Sequence, residues 1–247
     1  MIVQNGVFIS EQSKHKFAAF EQAYIEARNK EHRIFTIDEI RNLPEVPNEH
    51  VHYAEWQIRK KNIKRFLTYL AHKNKSLRIL DIGCGTGFFT HRMAKGHTVC
   101  GLDVNLTELT QAAEAFKDSG ITWYYFDIME EELPEEKFDL ITFCASFQYF
   151  DDPIRLLNKC KNRLTKNGEI HIIDSPFYNE QSREQAKQGS LNYYKKLGSE
   201  SMINYYHHNT YELLDGFNYS FGYKANPLMM KFRKDSPFPW IIVKGDH

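Results

Sequence analysis

From Leu77 onward, short apolar runs alternate with helix-length stretches, and this alternation restricts the fold more than any other feature of the 247-residue chain. The runs lie at 77–82, 98–103, 121–126, 138–144 and 169–174, and helical patterns fall between them near 88–95, 106–117 and 153–165. Continuous apolar runs mark strands buried on both faces, and crossover helices between them imply a parallel sheet. Asp152-Pro153 announces the last of these helices, a capping acid followed by proline at the first helical position. After residue 175 a polar, tyrosine-rich stretch runs to about 208, and two more strands are expected near 217–223 and 238–243. With a loop and no crossover helix between them, these two should be antiparallel. The expected fold is α/β: a doubly wound, seven-stranded, mostly parallel Rossmann-like sheet over 76–247, with a terminal antiparallel hairpin and 176–208 as an inserted lid.

Residues 1–75 read as a helical extension. Phe17, Phe20, Tyr24 and Ala27 form one apolar stripe on a helix over 11–31, and a second helix over 54–73 buries Trp56, Ile63, Phe66, Leu67 and Leu70. Pro44 and Pro47 bar a helix between them. The segment 1–76 carries 13 Lys+Arg against 9 Asp+Glu, with much of the excess between Arg59 and Lys75. At helical spacing those charges describe the solvated face of an amphipathic helix rather than an anion-binding patch. Over the whole chain 32 basic residues balance 32 acidic ones, which argues against bulk nucleic acid as the main partner. No run approaches the length of a membrane span, and the start lacks the features of a secretory leader, so a cytoplasmic protein is expected. Cys84, Cys100, Cys144 and Cys160 include no Cys-x-x-Cys pair, and neither a metal site nor a disulfide framework is suggested.

The block that carries chemistry is Ile79-Leu-Asp-Ile-Gly-Cys-Gly-Thr-Gly-Phe88, a strand that runs through three glycines into a helix. Glycine there permits positive φ and lets a ligand lie against main-chain N–H groups. Asp103 ends the next strand, 20 residues after Gly83, where a carboxylate can accept both hydroxyls of a ribose. A dinucleotide fingerprint needs glycine where this chain has Phe88, so a pyrophosphate cannot approach the helix. Asp81 would repel a diphosphate and favour a cationic amino-acid end. A ligand with a ribose, no phosphate and a positive charge describes S-adenosylmethionine.

On these residues the chain resembles the class I S-adenosylmethionine-dependent methyltransferases. The 79–88 block is similar to their first motif, and Val99-Cys-Gly-Leu-Asp103 to the second strand with its ribose-binding acid. Phe126-Asp-Ile128 is similar to the adenine-binding end of the third strand. Residues 138–153 resemble the fourth strand and its loop, and Leu164-Thr-Lys-Asn-Gly168 the turn into the fifth. Gln148-Tyr149 stands where relatives often carry His-Trp, and Asn167 replaces their usual proline. The resemblance implies that Gly83, Cys84, Gly85 and Gly87 cradle the methionine end, that Asp81 faces its ammonium directly or through water, and that Asp103 holds the ribose. It also implies that Asp127 and Ile128 fix adenine, that Val104 and Met129 wall it, and that Ser146 or Phe147 lies near the sulfonium.

Methyl transfer needs alignment more than acid–base machinery, because the sulfonium is already a good leaving group. Where a base is needed, Tyr149, Tyr178 and His207 are the candidates; the His50-Val-His-Tyr-Ala-Glu-Trp56 cluster with Arg59 either caps the pocket or starts a packed helix. His171, inside a strand, reads as structural. The leading function is methyl transfer to a small, partly aromatic or apolar acceptor. Alternatives are the same chemistry on RNA or protein, or a non-catalytic methyltransferase-like binding subunit.

Overall fold

A computed structural model describes residues 1–14, 16–134, 137–225 and 235–245. Among them, nine strands share one sheet. They are β1 (Ile2–Gln4), β2 (Val7–Ile9), β3 (Arg78–Ile82), β4 (Thr98–Asp103), β5 (Thr122–Tyr125), β6 (Phe138–Cys144), β7 (Leu164–Ile173), β8 (Tyr219–Tyr223) and β9 (Trp240–Lys244), in the order β1-β2-β5-β4-β3-β6-β7-β9-β8. The helices are α1 (Ala18–Lys30), α2 (Ile37–Asn42), α3 (Tyr53–Ala71), α4 (Phe88–Met93), α5 (Leu106–Ala115), α6 (Pro153–Asn162) and α7 (Glu180–Leu197). Strands β2 to β7 pair in parallel, and β9 runs antiparallel to both β7 and β8, as the missing crossover helix requires.

Alternate residues of the central strands serve opposite faces. Leu80 and Ile82 pack with Leu156, Leu157 and Cys160 of α6, whereas Ile79 packs with Phe66 of α3 and Phe89 of α4. Burying each such side chain contributes about 1.5–3 kcal/mol, which makes these runs the fold's main source of stability. Asp152 caps α6 by accepting from the Arg155 N–H at 3.0 Å, with Pro153 behind it, as the sequence predicts.

The expected seven strands and wholly helical extension need correction. Residues 1–9 form a hairpin whose turn is Asn5-Gly6, both at positive φ, and β2 adds to the sheet edge beside β5. Asn-Gly between apolar triplets is itself a hairpin signal. Val7 and Ile9 are fully buried there against α5, which explains why three-residue strands hold. The helix expected over 11–31 begins at Ala18; residues 11–14 and 16–17 form turns, and residue 15 lies outside the described residues. The Asn167-Gly168 turn is present as a bulge within β7, where pairing with β6 jumps from Phe138–Leu164 to Leu140–Glu169. His171 is structural: Trp240 Nε1 donates to its Nδ1 at 3.0 Å inside the core. Among the described residues no helix is long and apolar enough to cross a membrane.

A smaller core lies outside the sheet. Ala23 and Ala27 of α1 pack on Tyr194 of α7 and on Met202, with Tyr24, Tyr149, Tyr205 and Tyr206 around them. It joins the extension to the 176–208 segment, which consists mainly of α7 and a 3-10 turn over 200–205.

Candidate active site

Strand order reverses between β3 and β6, so the loops at their carboxyl ends diverge and leave a crevice, the usual ligand position in such sheets. The loop after β3 is tied to β4, with the Gly83 and Cys84 N–H groups donating to Leu102 O at 2.7 and 3.1 Å. Gly83 has φ +70°, and a Cβ there would lie 2.3 Å from Cβ of Ser146, whose hydroxyl is anchored on Ile82 O at 2.7 Å. Gly87 caps α4 at φ +73°, where a Cβ would fall 2.4 Å from the Trp123 ring. That third glycine is required by packing, and it does not line the crevice.

Asp103 is the hub of the site. Its Oδ2 accepts from the Gly85 N–H at 2.7 Å, and its Oδ1 from the Val104 and Asn105 N–H groups at 2.7 and 2.9 Å. One carboxylate thus joins the glycine loop to the loop after β4, and about one of its four acceptor positions stays open for a ligand hydroxyl. Burial raises its pKa to about 6 against the lowering by those three N–H groups. Beside it, Glu108 opens on the same crevice with Oε2 3.0 Å from where a Gly85 Cβ would stand; burial and the Asp103 charge raise its pKa to about 8. Glu108 carries no mark of the site in the local sequence. Asn105 accepts from the Glu108 N–H at 3.0 Å, a capping pattern that explains the residue locally and hides where its carboxyl points.

Asp81 does not reach the cavity. It is fully buried, its carboxylate takes hydroxyl bonds from Thr90 at 2.6 Å and Thr142 at 2.8 Å, and burial pushes its pKa to about 7. A direct contact with a ligand ammonium is therefore corrected to a position behind the loop. Asp127 does line the cavity; Met129 N–H donates to its Oδ1 at 2.9 Å and Lys16 of the extension pairs with Oδ2. Cys84, Gly85, Val104, Ile128 and Ser146 line it as well.

The crevice continues into a cavity of about 1050 Å³ whose far wall comes from outside the sheet. The predicted Tyr149, Tyr178 and His207 all reach it, and burial lowers the His207 pKa and raises that of Tyr178. His208 instead bonds the Ser190 hydroxyl at 2.9 Å. Trp56 and Arg59 also line the cavity, so the 50–59 cluster is part of its wall as well as a helix start. Arg59 Nε meets Glu55 Oε1 at 3.2 Å, and Arg33 holds the same carboxylate with Nη1 at 3.0 Å and Nη2 at 2.5 Å, which depresses the Glu55 pKa to about 2 against burial. Two further groups escaped the sequence analysis. Arg28 lies over the Tyr24 ring at 5.0 Å, and Asp174, at φ +52° just past β7, accepts from Asn62 Nδ2 and has its pKa raised to about 6 by burial. No local pattern flags either: beside Tyr24 and Glu31 of its own segment Arg28 reads as an ordinary helix charge, and Asp174 meets Asn62 from 112 residues away.

Residues 80–172 match the methyltransferase domain family. The chain is 31% identical over 117 residues to a malonyl-[acyl-carrier protein] O-methyltransferase of Ilyobacter polytropus, covering 46% of this chain and 44% of that one. It is 32% identical over 115 residues to a ubiquinone biosynthesis O-methyltransferase of Actinobacillus pleuropneumoniae, covering 42% and 49%. The chain thus spans about half the length of these curated relatives. The solved plantazolicin methyltransferase in complex with SAH aligns over 95% of this chain and 100% of its own with a TM-score of 0.54; at 16% identity that likeness concerns the fold. Over residues 80–172 the chain is similar to a methyltransferase domain. The matched segment holds β3 to β7 and the loops that form the crevice, and the roofing elements on either side lie outside it.

Proposed function

We propose that the protein transfers a methyl group from S-adenosylmethionine to a small, partly aromatic molecule bound under the roof. The observation that carries this reading is the continuity of the Gly83–Gly85 crevice with a cavity walled by tyrosines. The residues present fit the cofactor: Gly83 and Gly85 border the crevice with no side chain to fill it, and Asp103 is a buried acid with an acceptor position to spare. Asp103 takes a ribose hydroxyl in its open position, and Glu108, protonated up to about pH 8, can donate to one or accept from one. Asp127 accepts from the adenine amino group once Lys16 shares it, Ile128 gives the ring its backbone contact, and Val104 and Met129 enclose it. Gly83, Cys84 and Gly85 receive the methionine end, with Ser146 close by.

When bound, the cofactor supplies an electrophilic methyl on a sulfonium. The chain's part is to hold the acceptor in line, exclude water under the roof, and take the proton a hydroxyl or amine acceptor releases as its bond to carbon forms. His207 and Asp174, both on the cavity wall and titrating below neutrality, are the groups able to receive it; Tyr149 and Tyr178 orient the acceptor. The extension and the 176–208 segment act together as a cap over this site, in a cytoplasmic protein.

The cavity suits a small acceptor better than RNA, because Lys61, Lys64 and Arg65 face a separate outer groove along α3 and the β8–β9 edge. The test is turnover: the protein is incubated with S-adenosylmethionine and either small acids, phenols and amines or structured RNA, and S-adenosylhomocysteine is quantified. Turnover with small acceptors supports the reading, and turnover with RNA alone overturns it.

A further inference from the structure

The outer part of the cavity has a surplus of hydrogen-bond donors. Arg28 spends one guanidinium nitrogen on Glu31 at 2.9 Å, while its Nε is buried with no hydrogen-bond partner. Glu31 takes the Tyr193 hydroxyl on Oε1, while its Oε2, approached by Arg28 and by Arg33 at 3.4 Å, accepts no hydrogen bond. Around Arg28 stand Tyr24, Tyr149, Tyr194 and Tyr206, and among the described residues none of their hydroxyls makes a hydrogen bond. Burial raises the pKa of Tyr24, Tyr194 and Tyr206, so these hydroxyls stay protonated and able to donate. Gln148 Oε1 is buried there as an acceptor without a partner, while its Nε2 is fixed on Ala145 O at 2.7 Å. The surrounding walls are aromatic: Phe20 meets the rings of Tyr24, Tyr149 and Tyr205 at 5.2–6.0 Å.

A cavity wall where tyrosine hydroxyls without a protein partner surround a guanidinium fork is matched by an acceptor-rich anion, and a carboxylate fits the fork in two-point fashion. We propose that the methyl acceptor is a small carboxylic acid with an aromatic or apolar body, its carboxylate held by Arg28 and the surrounding tyrosine hydroxyls. Gln148 Oε1 then receives the hydrogen of the acceptor's hydroxyl or amine, which turns that nucleophile toward the glycine crevice. The inference rests on the cofactor reading above. The same carboxylate chemistry has a second source, the methionine end of the cofactor, and the experiment separates the two.

Calorimetric titration of the full chain with S-adenosylhomocysteine comes first and reports on the cofactor reading alone; absence of binding overturns that reading and this one with it. The saturated protein is then titrated with benzoate, phenylacetate and cinnamate, each beside its uncharged amide. At least one acid should bind about tenfold or more tighter than its amide, the discrimination of a charge-assisted bidentate contact. Arg28→Gln should abolish that preference and leave S-adenosylhomocysteine binding unchanged in protein shown by its circular dichroism to be folded. Tyr149→Phe, which keeps the ring and the charge, should weaken the acid by about threefold, the worth of one hydrogen bond. Equal binding of acids and amides, or no acid binding at all, overturns the proposal. So does weakened S-adenosylhomocysteine binding in Arg28→Gln, which would give the guanidinium to the cofactor's own carboxylate.

Discussion

The two halves of the cavity are built differently. The cofactor half is made of main chain: glycine turns, N–H groups and a strand-end acid, all within a few residues of β3, β4 and β5, with the largest buried cluster among the described residues beneath them. The acceptor half is made of side chains from α1, α3, α7 and the 200–205 turn, held by a core of four buried residues. Backbone geometry repeats with short sequence patterns, whereas a wall of side chains brought from distant segments can be rebuilt without disturbing the fold. The difference fits the span of the family match, which holds the strands and loops of the first half and leaves α1, α3 and α7 outside it. It also makes the roof the part most ready to open, since few buried contacts hold it.

The sharpest way to break the cofactor half is Gly83→Val. A side chain there meets Ser146 at a left-handed backbone position, and the combined strain and overpacking should lower unfolding free energy by about 3 kcal/mol or more, read by denaturant titration. Asp103→Ala releases three main-chain N–H groups and should lower S-adenosylhomocysteine affinity by about 2–3 kcal/mol, measured by calorimetry.

Glu108→Gln tests electrostatics within the same half. Because the folded state raises this pKa to about 8 from 4.5, the folded protein holds the proton while the unfolded chain loses it. The stability linked to Glu108 is thus fully present below about pH 4.5 and is lost as pH rises toward 8. The variant has no such loss, so its unfolding free energy should gain on that of the wild type between pH 5 and pH 8, by an amount on the order of 2 kcal/mol. A constant difference across that range would contradict the assignment.

In the acceptor half, Phe20→Ala opens the aromatic wall. It should raise KM for the acceptor by the equivalent of about 1 kcal/mol, the worth of aromatic pairing, with S-adenosylhomocysteine affinity unchanged. Lys16→Ala, at the boundary, should be the mildest change, about 0.5 kcal/mol or less, because the lysine is half exposed and its pair with Asp127 is screened.

The same contrast decides how much was legible in the sequence. The parallel strands, the antiparallel end, the glycine loop and the place of Asp103 at a strand end could be read from local pattern and spacing, whereas Asp127 was singled out by the family resemblance alone. The edge hairpin was overlooked although Asn5-Gly6 announced it, since three-residue strands give too short a period to register. Asp81 was expected to face the ligand's ammonium directly or through water, and sequence position could not tell that the hydroxyls of Thr90 and Thr142 would surround it. Arg28, Glu108 and Asp174 gain their meaning only from tertiary contacts.

The most direct test of the account is a calorimetric comparison of S-adenosylhomocysteine and NAD on the ligand-free wild-type protein, repeated with Asp103→Ala. The account predicts one-to-one binding of S-adenosylhomocysteine, a marked loss in the variant and no NAD binding. NAD binding, or silence with S-adenosylhomocysteine in a folded protein, would contradict it.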